Sequence, residues 1–337
     1  MRIAILAHEQ FPDRAKTAVG ILRYGDHEVA AVLDRTLAGD RVAEHVADVP
    51  DAPIVDSIDE VGAIDALVVG IAPIGGGFDE TWRPDVRGAL ERGCDVVAGL
   101  HYFLAEDEEF ARLAAEHGAE IRDLRRPPDD LTVSDGTASE VDADVVLTVG
   151  TDCSSGKMTT TFELLAAARE RGIDAAVVPT GQTGIAVADY GIAVDRVVAD
   201  FAAGAVERMV EERGDHDLLV VEGQGALCHP AYSGVTASIL HGSMPDALVL
   251  CHVAGCEAVH GYEHVPIPPP GEYAEIYESV ANPVAPTTVA AGALNTQAVG
   301  SDEAARAAVE EYATAIDAPA TDPVRFGADE ILDAILE

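Results

Sequence analysis

Residues 144–160 read DVVLTVGTDCSSGKMTT: an apolar strand, a turn of small residues and a helix start. Few arrangements accept that order. Small residues let successive backbone N–H groups point inward as an anion nest, the following helix presents its positive end, and Lys157 adds a mobile charge. The segment therefore predicts a phosphate-binding loop of Gly150, Thr151, Asp152, Cys153, Ser154, Ser155, Gly156 and Lys157, continued by Met158 and Thr159. Counted against G-x-x-x-x-G-K-[ST], Gly150 stands one residue early and Met158 replaces the hydroxyl residue that ligates Mg²⁺. Thr159 or Thr160 could substitute, but the loop suits holding a phosphate better than hydrolysing one.

The rest of the chain supplies a setting for such a loop. Apolar runs at 2–7, 28–33, 65–71 and 95–100 alternate with helix-like segments near 14–23, 84–92 and 103–117, the pattern of a parallel, doubly wound sheet. A stretch rich in charge, proline and turn formers, 122–143, separates this from a second series. Its strands are expected at 144–149, 173–178, 217–222, 246–251 and 284–293, with helices near 157–171, 202–213, 234–241 and 272–280. The class is α/β: an N-terminal Rossmann-like domain over 1–135 and a P-loop domain like those of nucleoside-triphosphate hydrolases over 136–337.

Composition limits what the loop serves. With 60 Asp and Glu against 21 Lys and Arg, the formal net charge is −39, which repels nucleic acid and suits a salt-rich interior where charges are screened. Only Lys16 and Lys157 are lysines, so an ammonium at the loop stands out. Five cysteines form no C-x-x-C pair, which fits a reducing cytoplasm. No apolar run is long enough to span a membrane, and the N-terminal MRIAILAHEQFPDRAK reads as a first strand rather than a leader. Cys251, His252, Cys256, His260 and His264 match no zinc spacing, so no metal is expected.

Several further residues fall where ligands meet open α/β sheets, outside the carboxyl ends of strands. Glu222 ends the run DLLVVE, Gln224 follows it, and His229 comes shortly after, a carboxylate and an imidazole suited to proton transfer. Gln182 and Thr183 in PTGQTG are expected to line the same cleft, Asp200 to end another strand, and Asn295 to close a late one with an amide for a base. In the first domain the loop after 2–7 lacks the G-x-G-x-x-G of a dinucleotide site. Lys16, Gly75-Gly76-Gly77 and His101, with Arg125 and Arg126, could instead hold a small anion.

Taken together, GTDCSSGKMTT, PTGQTGI, VVEGQGALCHPAYSGVT, PDALVLCH, the Asn295-Thr296 turn and TDPVRFG at 321–327, with AKTA and DLRRPP earlier, resemble one family over essentially the whole chain. It is a P-loop family of uncharacterised domains, often encoded beside dipeptide epimerases, with some members that are D-glutamate N-acetyltransferases. The loop is also similar to that of dethiobiotin synthetase, which continues with Thr where this chain has Met158. The resemblance implies acetyl-CoA as acyl donor, with its phosphates on the loop, and a small acidic amino acid as acceptor. His229 or Glu222 would then be the base, Gln224 or backbone amides the oxyanion donors, and Lys16, Arg125, Arg126 or Arg325 the partners of the substrate carboxylates. An ATP-dependent ligase or kinase using Mg²⁺ and a nucleotide-binding sensor are the competing classes. A homo-oligomer is expected, as for many such enzymes.

Overall fold

The computed structural model describes residues 1–71, 73 and 76–336, and the chain forms two units. One comprises Met1–Pro127 with Gln182–Ala193; the other comprises Pro128–Gly181 with the segment from Val194 onward.

In the first unit the strands are β1 (Arg2–Leu6), β2 (Glu28–Leu33), β3 (Ile54–Val55), β4 (Ala66–Val69), β5 (Asp95–Ala98) and β6 (Ile121–Asp123). They form one sheet in the order β3-β2-β1-β4-β5-β6, every pair parallel, which is the Rossmann order. Ile3, Ile5, Leu6, Val32, Leu33 and Leu67 are fully buried in it, each contributing about 1.5–3 kcal/mol through removal from water. Helices α1 (Lys16–Tyr24), α2 (Arg83–Glu91) and α3 (Glu108–His117) connect the strands. The Asp107 carboxylate caps α3, accepting the Glu109 and Phe110 N–H groups.

The second unit begins with β7 (Asp144–Gly150), α4 (Lys157–Glu170) and β8 (Ala175–Val178). The short α5 (Gln182–Ala188) follows in sequence but packs on α1 of the first unit. The second unit resumes with α6 (Ala199–Glu212), β9 (Leu218–Glu222), α7 (Ser233–Ser243), β10 (Ala247–Val253) and a hairpin, β11 (Ala258–Val259) with β12 (Tyr262–Pro266). It ends with α8 (Pro270–Ala281), β13 (Thr288–Asn295), α9 (Asp302–Ile316), β14 (Ala320–Thr321) and α10 (Asp329–Leu336). Its parallel sheet runs β14-β13-β10-β7-β9-β8, so β7 lies between β9 and β10, and the loop that leaves it opens at a reversal of strand order.

Several local expectations shift. The two-residue β3 and β14 and the three-residue β6 are too short to show a period, and α5 is obscured by its internal Gly184. The helices α9 and α10 also lie outside the predicted set, although Ser301 caps α9 by accepting the Ala304 N–H. Asp200 does not end a strand: it sits in the first turn of α6, where an acid favours the helix N-terminus. Gly75 falls outside the described residues, while Gly76 accepts the His101 N–H at 2.9 Å.

Candidate phosphate-binding site

The loop is built as an anion cradle. Thr151 N–H donates to Cys251 O at 3.0 Å, tying the loop to β10. Gly156 turns the chain into α4 with φ +99°, a conformation that L side chains rarely adopt. The first turn of α4 carries no acidic residue, so its positive end is not neutralised. Lys157 is buried, and its ammonium donates to Asp152 O at 2.7 Å, with Cys153 O and Ser155 Oγ each at 3.4 Å. The charge is thus folded back over the loop carbonyls, where phosphate oxygens can replace them. Ser155 Oγ also donates to Asp152 O at 3.0 Å, Cys153 is half-buried and Ser154 is exposed.

Behind the loop, Tyr277 OH donates to Gly150 O at 2.8 Å, and Gly223 N–H donates to Thr148 Oγ1 at 3.2 Å. Any Cβ on Gly223 would collide with Thr148 O and stand 3.3 Å from Lys157 Cδ. Both residues serve the loop without having been expected to; Gly223 lies within the quoted VVEGQG run, while Tyr277 is 127 residues away in sequence and leaves no local signal. Met158 is buried in the core, Thr159 is half-buried, and Thr160 Oγ1 takes a hydrogen bond from Cys251 Sγ at 3.6 Å.

Glu222 ends β9 opposite Thr148 of β7 and is therefore carried to the edge of the cradle. One of its carboxylate oxygens accepts Gly181 N–H at 3.4 Å, and its carbonyl accepts Thr180 Oγ1 at 2.6 Å. The Gln224 side-chain amide donates to Thr180 O and to Thr180 Oγ1. His229 is buried, its ring centroid 4.6 Å from that of Tyr232 and 5.2 Å from that of Tyr262. Its Nδ1 accepts the Ala231 N–H at 3.1 Å, and its Nε2 faces Asp152 Oδ1 at 4.0 Å. Burial holds the imidazole below its ordinary pKa, with Asp152 opposing and Lys157 adding to the effect. A neutral ring whose Nδ1 accepts a backbone N–H carries its proton on Nε2, so His229 presents a donor to the loop.

Asp152, Cys153 and His229 place possible metal-ligand atoms within 4.8 Å of one another. A metal on Nε2 would need Nδ1 to donate a hydrogen bond, but the Ala231 N–H already points at Nδ1. The Lys157 ammonium, on the same loop, adds positive charge. The set fits an anion better than a cation. The Cys and His residues from 251 to 264 take separate tasks: His252 Nδ1 meets Thr151 Oγ1 at 2.8 Å, Cys256 Sγ donates to Ala258 O, and the His260 N–H anchors the hairpin to Asp152 Oδ2 at 2.7 Å. Burial pushes the Cys251 thiol up to about 11.

Asn295 lies at the end of β13, two strands from β7, and its side-chain oxygen accepts Gln297 N–H at 2.9 Å. Arg325 pairs with Asp302 at 2.7 Å and donates to Val299 O at 3.0 Å, bracing the turn after Asn295. The remaining candidates belong to the first unit. Lys16 is exposed at the start of α1, and Thr183 Oγ1 meets Thr17 Oγ1 at 2.9 Å. Gln182 packs against Gly99, whose carbonyl accepts Arg125 Nε at 2.8 Å. Arg126 pairs with Glu106 at 2.8 Å and lies over Phe103. Gln182 and Thr183 are thus grouped with Arg125 rather than with the loop at Lys157.

The relatives of the chain fit this architecture. Residues 132–332 match the P-loop domain of DUF1611, a domain of unknown function, and residues 35–127 match its Rossmann-like N-terminal domain. A crystal structure of a DUF1611 family protein from Anabaena variabilis has a TM-score of 0.94 at 40% identity, covering 99% of each chain. A protein from Tritonibacter scottomollicae named D-glutamate N-acetyltransferase is 36% identical over 270 residues, 80% of each chain. Another of that name, from a Pseudoalteromonas species, is 36% identical over 267 residues, 79% of this chain and 80% of its own. With both of its domains matched and both of its sheets in place, the chain belongs to the DUF1611 family.

Proposed function

We propose that the chain is an acetyl-CoA-dependent N-acetyltransferase whose acceptor is D-glutamate, with the phosphates of CoA held on the loop at Lys157. The names of the two relatives supply the reaction and the acceptor. The observation that carries the choice of donor is the loop itself: an intact cradle in which the buried Met158 stands where a Mg²⁺-ligating hydroxyl would be. Such a loop grips phosphates without assisting their cleavage.

Acetyl-CoA supplies the thioester; the protein must hold it, receive the amine, take a proton from the ammonium and stabilise the oxyanion. Lys157, the loop amides and the Nε2–H of His229 are the groups for the phosphates. A pantetheine arm spans roughly 15 Å when extended, so the thioester lies well away from a loop that grips the phosphates. On that ground Glu222 and His229 serve binding more directly than proton transfer.

The test mixes the protein, in molar salt, with acetyl-CoA and D-glutamate and follows free thiol. Thiol release that survives EDTA is expected. ADP formed from ATP without thiol release would instead select the ligase or kinase class, and tight CoA binding without turnover would select a sensor.

A further inference from the structure

The protein carries two buried histidine–aspartate pairs, and they are built in opposite senses. In the second unit both nitrogens of His229 are committed: Nδ1 accepts the Ala231 N–H, and Nε2 faces Asp152. In the first unit His8 follows directly on β1, at the carboxyl edge where the strand order reverses between β1 and β4. That edge is where open α/β sheets receive ligands. His8 Nε2 lies 2.9 Å from Asp85 Oδ2. Asp85, in the first turn of α2, also accepts the Ile58 N–H at 2.8 Å and the Arg35 guanidinium at 3.2 Å.

The chemistry of the pair follows from those bonds. Burial opposes charge on Asp85, but the hydrogen bonds from His8 and Ile58 and the nearby Arg35 outweigh it and hold the carboxyl below its ordinary value. A carboxylate accepts and does not donate, so Nε2 carries a proton and the lone pair of a neutral His8 ring sits on Nδ1. That Nδ1 is buried and, among the described residues, has no hydrogen-bond partner. A histidine kept for structure spends both nitrogens, as His229 does. An orphaned acceptor beside a fixed carboxylate is instead the arrangement of a general base whose second nitrogen is held by its orienting acid.

We infer that His8, oriented by Asp85, is a proton acceptor in the first unit and that the group it takes is the primary amine of a small amino acid, directly or through one water. The identity of the amine rests on the acetyl-transfer reading; the availability of Nδ1 does not. In the step, Nδ1 takes one proton from the substrate ammonium. The freed amine attacks the thioester carbon, the C–N bond forms, the C–S bond breaks and the thiolate leaves. The second amine proton goes to that thiolate, and His8 releases the first to solvent.

His8→Gln keeps a donor toward Asp85 but cannot take a proton. The expected result is a fall in kcat/KM of about two to four orders of magnitude, with the thermal midpoint and the affinity for adenosine 3′,5′-bisphosphate unchanged. His229→Gln, compared in the same assay, should stay within about tenfold of the parent protein. Should His8→Gln turn over within tenfold of the parent, or His229→Gln suffer the larger loss, the assignment is overturned. A second measurement needs no variant and no turnover: ¹⁵N NMR of the His8 ring should show an unprotonated Nδ1 whose signal moves when D-glutamate is added. A protonated Nδ1, or no movement at saturating D-glutamate, also overturns it. If the parent protein binds D-glutamate at His8 yet releases no thiol from acetyl-CoA, the acetyl-transfer reading fails while the binding role of His8 stands.

Discussion

Of the 21 basic residues only two are lysines, and one of them, Lys157, is buried with its ammonium on the carbonyl of Asp152. A compact ammonium with three donors can leave that carbonyl for a phosphate oxygen, whereas a planar guanidinium would not fit the same space. Lys157→Ala should therefore weaken binding of adenosine 3′,5′-bisphosphate about tenfold to a hundredfold, the worth of one charge-assisted hydrogen bond, as read by calorimetry. His229 contributes at the same place through a neutral donor. Its replacement by Gln should leave that affinity within about threefold, and replacement by Phe should lower it about fivefold to tenfold. Equal losses in the two variants would contradict the proton placement on Nε2.

Elements succeed or fail here through single polar clamps. The carboxylate of Glu207 on α6 receives Ser134 Oγ and the N–H groups of Asp135, Gly136 and Thr137, which pins the connection entering the second unit. Burial works to raise this carboxyl, but those four donors outweigh it and hold it below its ordinary value of 4.5. The stabilisation is thus complete above about pH 4.5 and is lost as pH falls through the lower folded value. Glu207→Gln should cost about 1–3 kcal/mol in urea unfolding at pH 7, and the difference from the parent should shrink on acidification. The turn after β9 is stricter. Gly223→Ala forces a methyl against Thr148 O, so the strand end must move and the cradle with it. Loss of nucleotide binding is expected even where circular dichroism still reports a folded chain.

At the scale of the whole molecule, 60 acidic residues cannot all be paired by 21 basic ones. Exposed pairs such as Arg112–Glu116 and Arg208–Glu212 are each worth little and weaken in salt. The larger effect is relief of repulsion among the unpaired acids, since at molar salt the Debye length falls to about 3 Å. The thermal midpoint should consequently rise steadily from low salt into the molar range of NaCl, with no comparable rise in sucrose. A midpoint that falls with added salt would show that the exposed ion pairs matter more than the net charge. Two sheets with separate cores also lead us to expect that calorimetry will resolve more than one transition when a phosphate ligand stabilises the second unit alone.

The order of strands and helices, the cradle residues and the charge of the surface were all legible in the sequence, because each depends on near neighbours along the chain: period, turn size and composition. Runs such as DVVLTVG and DLLVVE announce buried parallel strands, and GTDCSSGK announces the loop. What could not be read was the choice of distant partners. Only the folded chain places Gln182 and Thr183 on α5 against α1, sets Tyr277 behind Gly150, turns the Ala231 N–H onto His229, and joins His8 to Asp85 across 77 positions. Those contacts depend on which strands become neighbours in a sheet, and it is they that decide which ring nitrogen is left free to accept a proton.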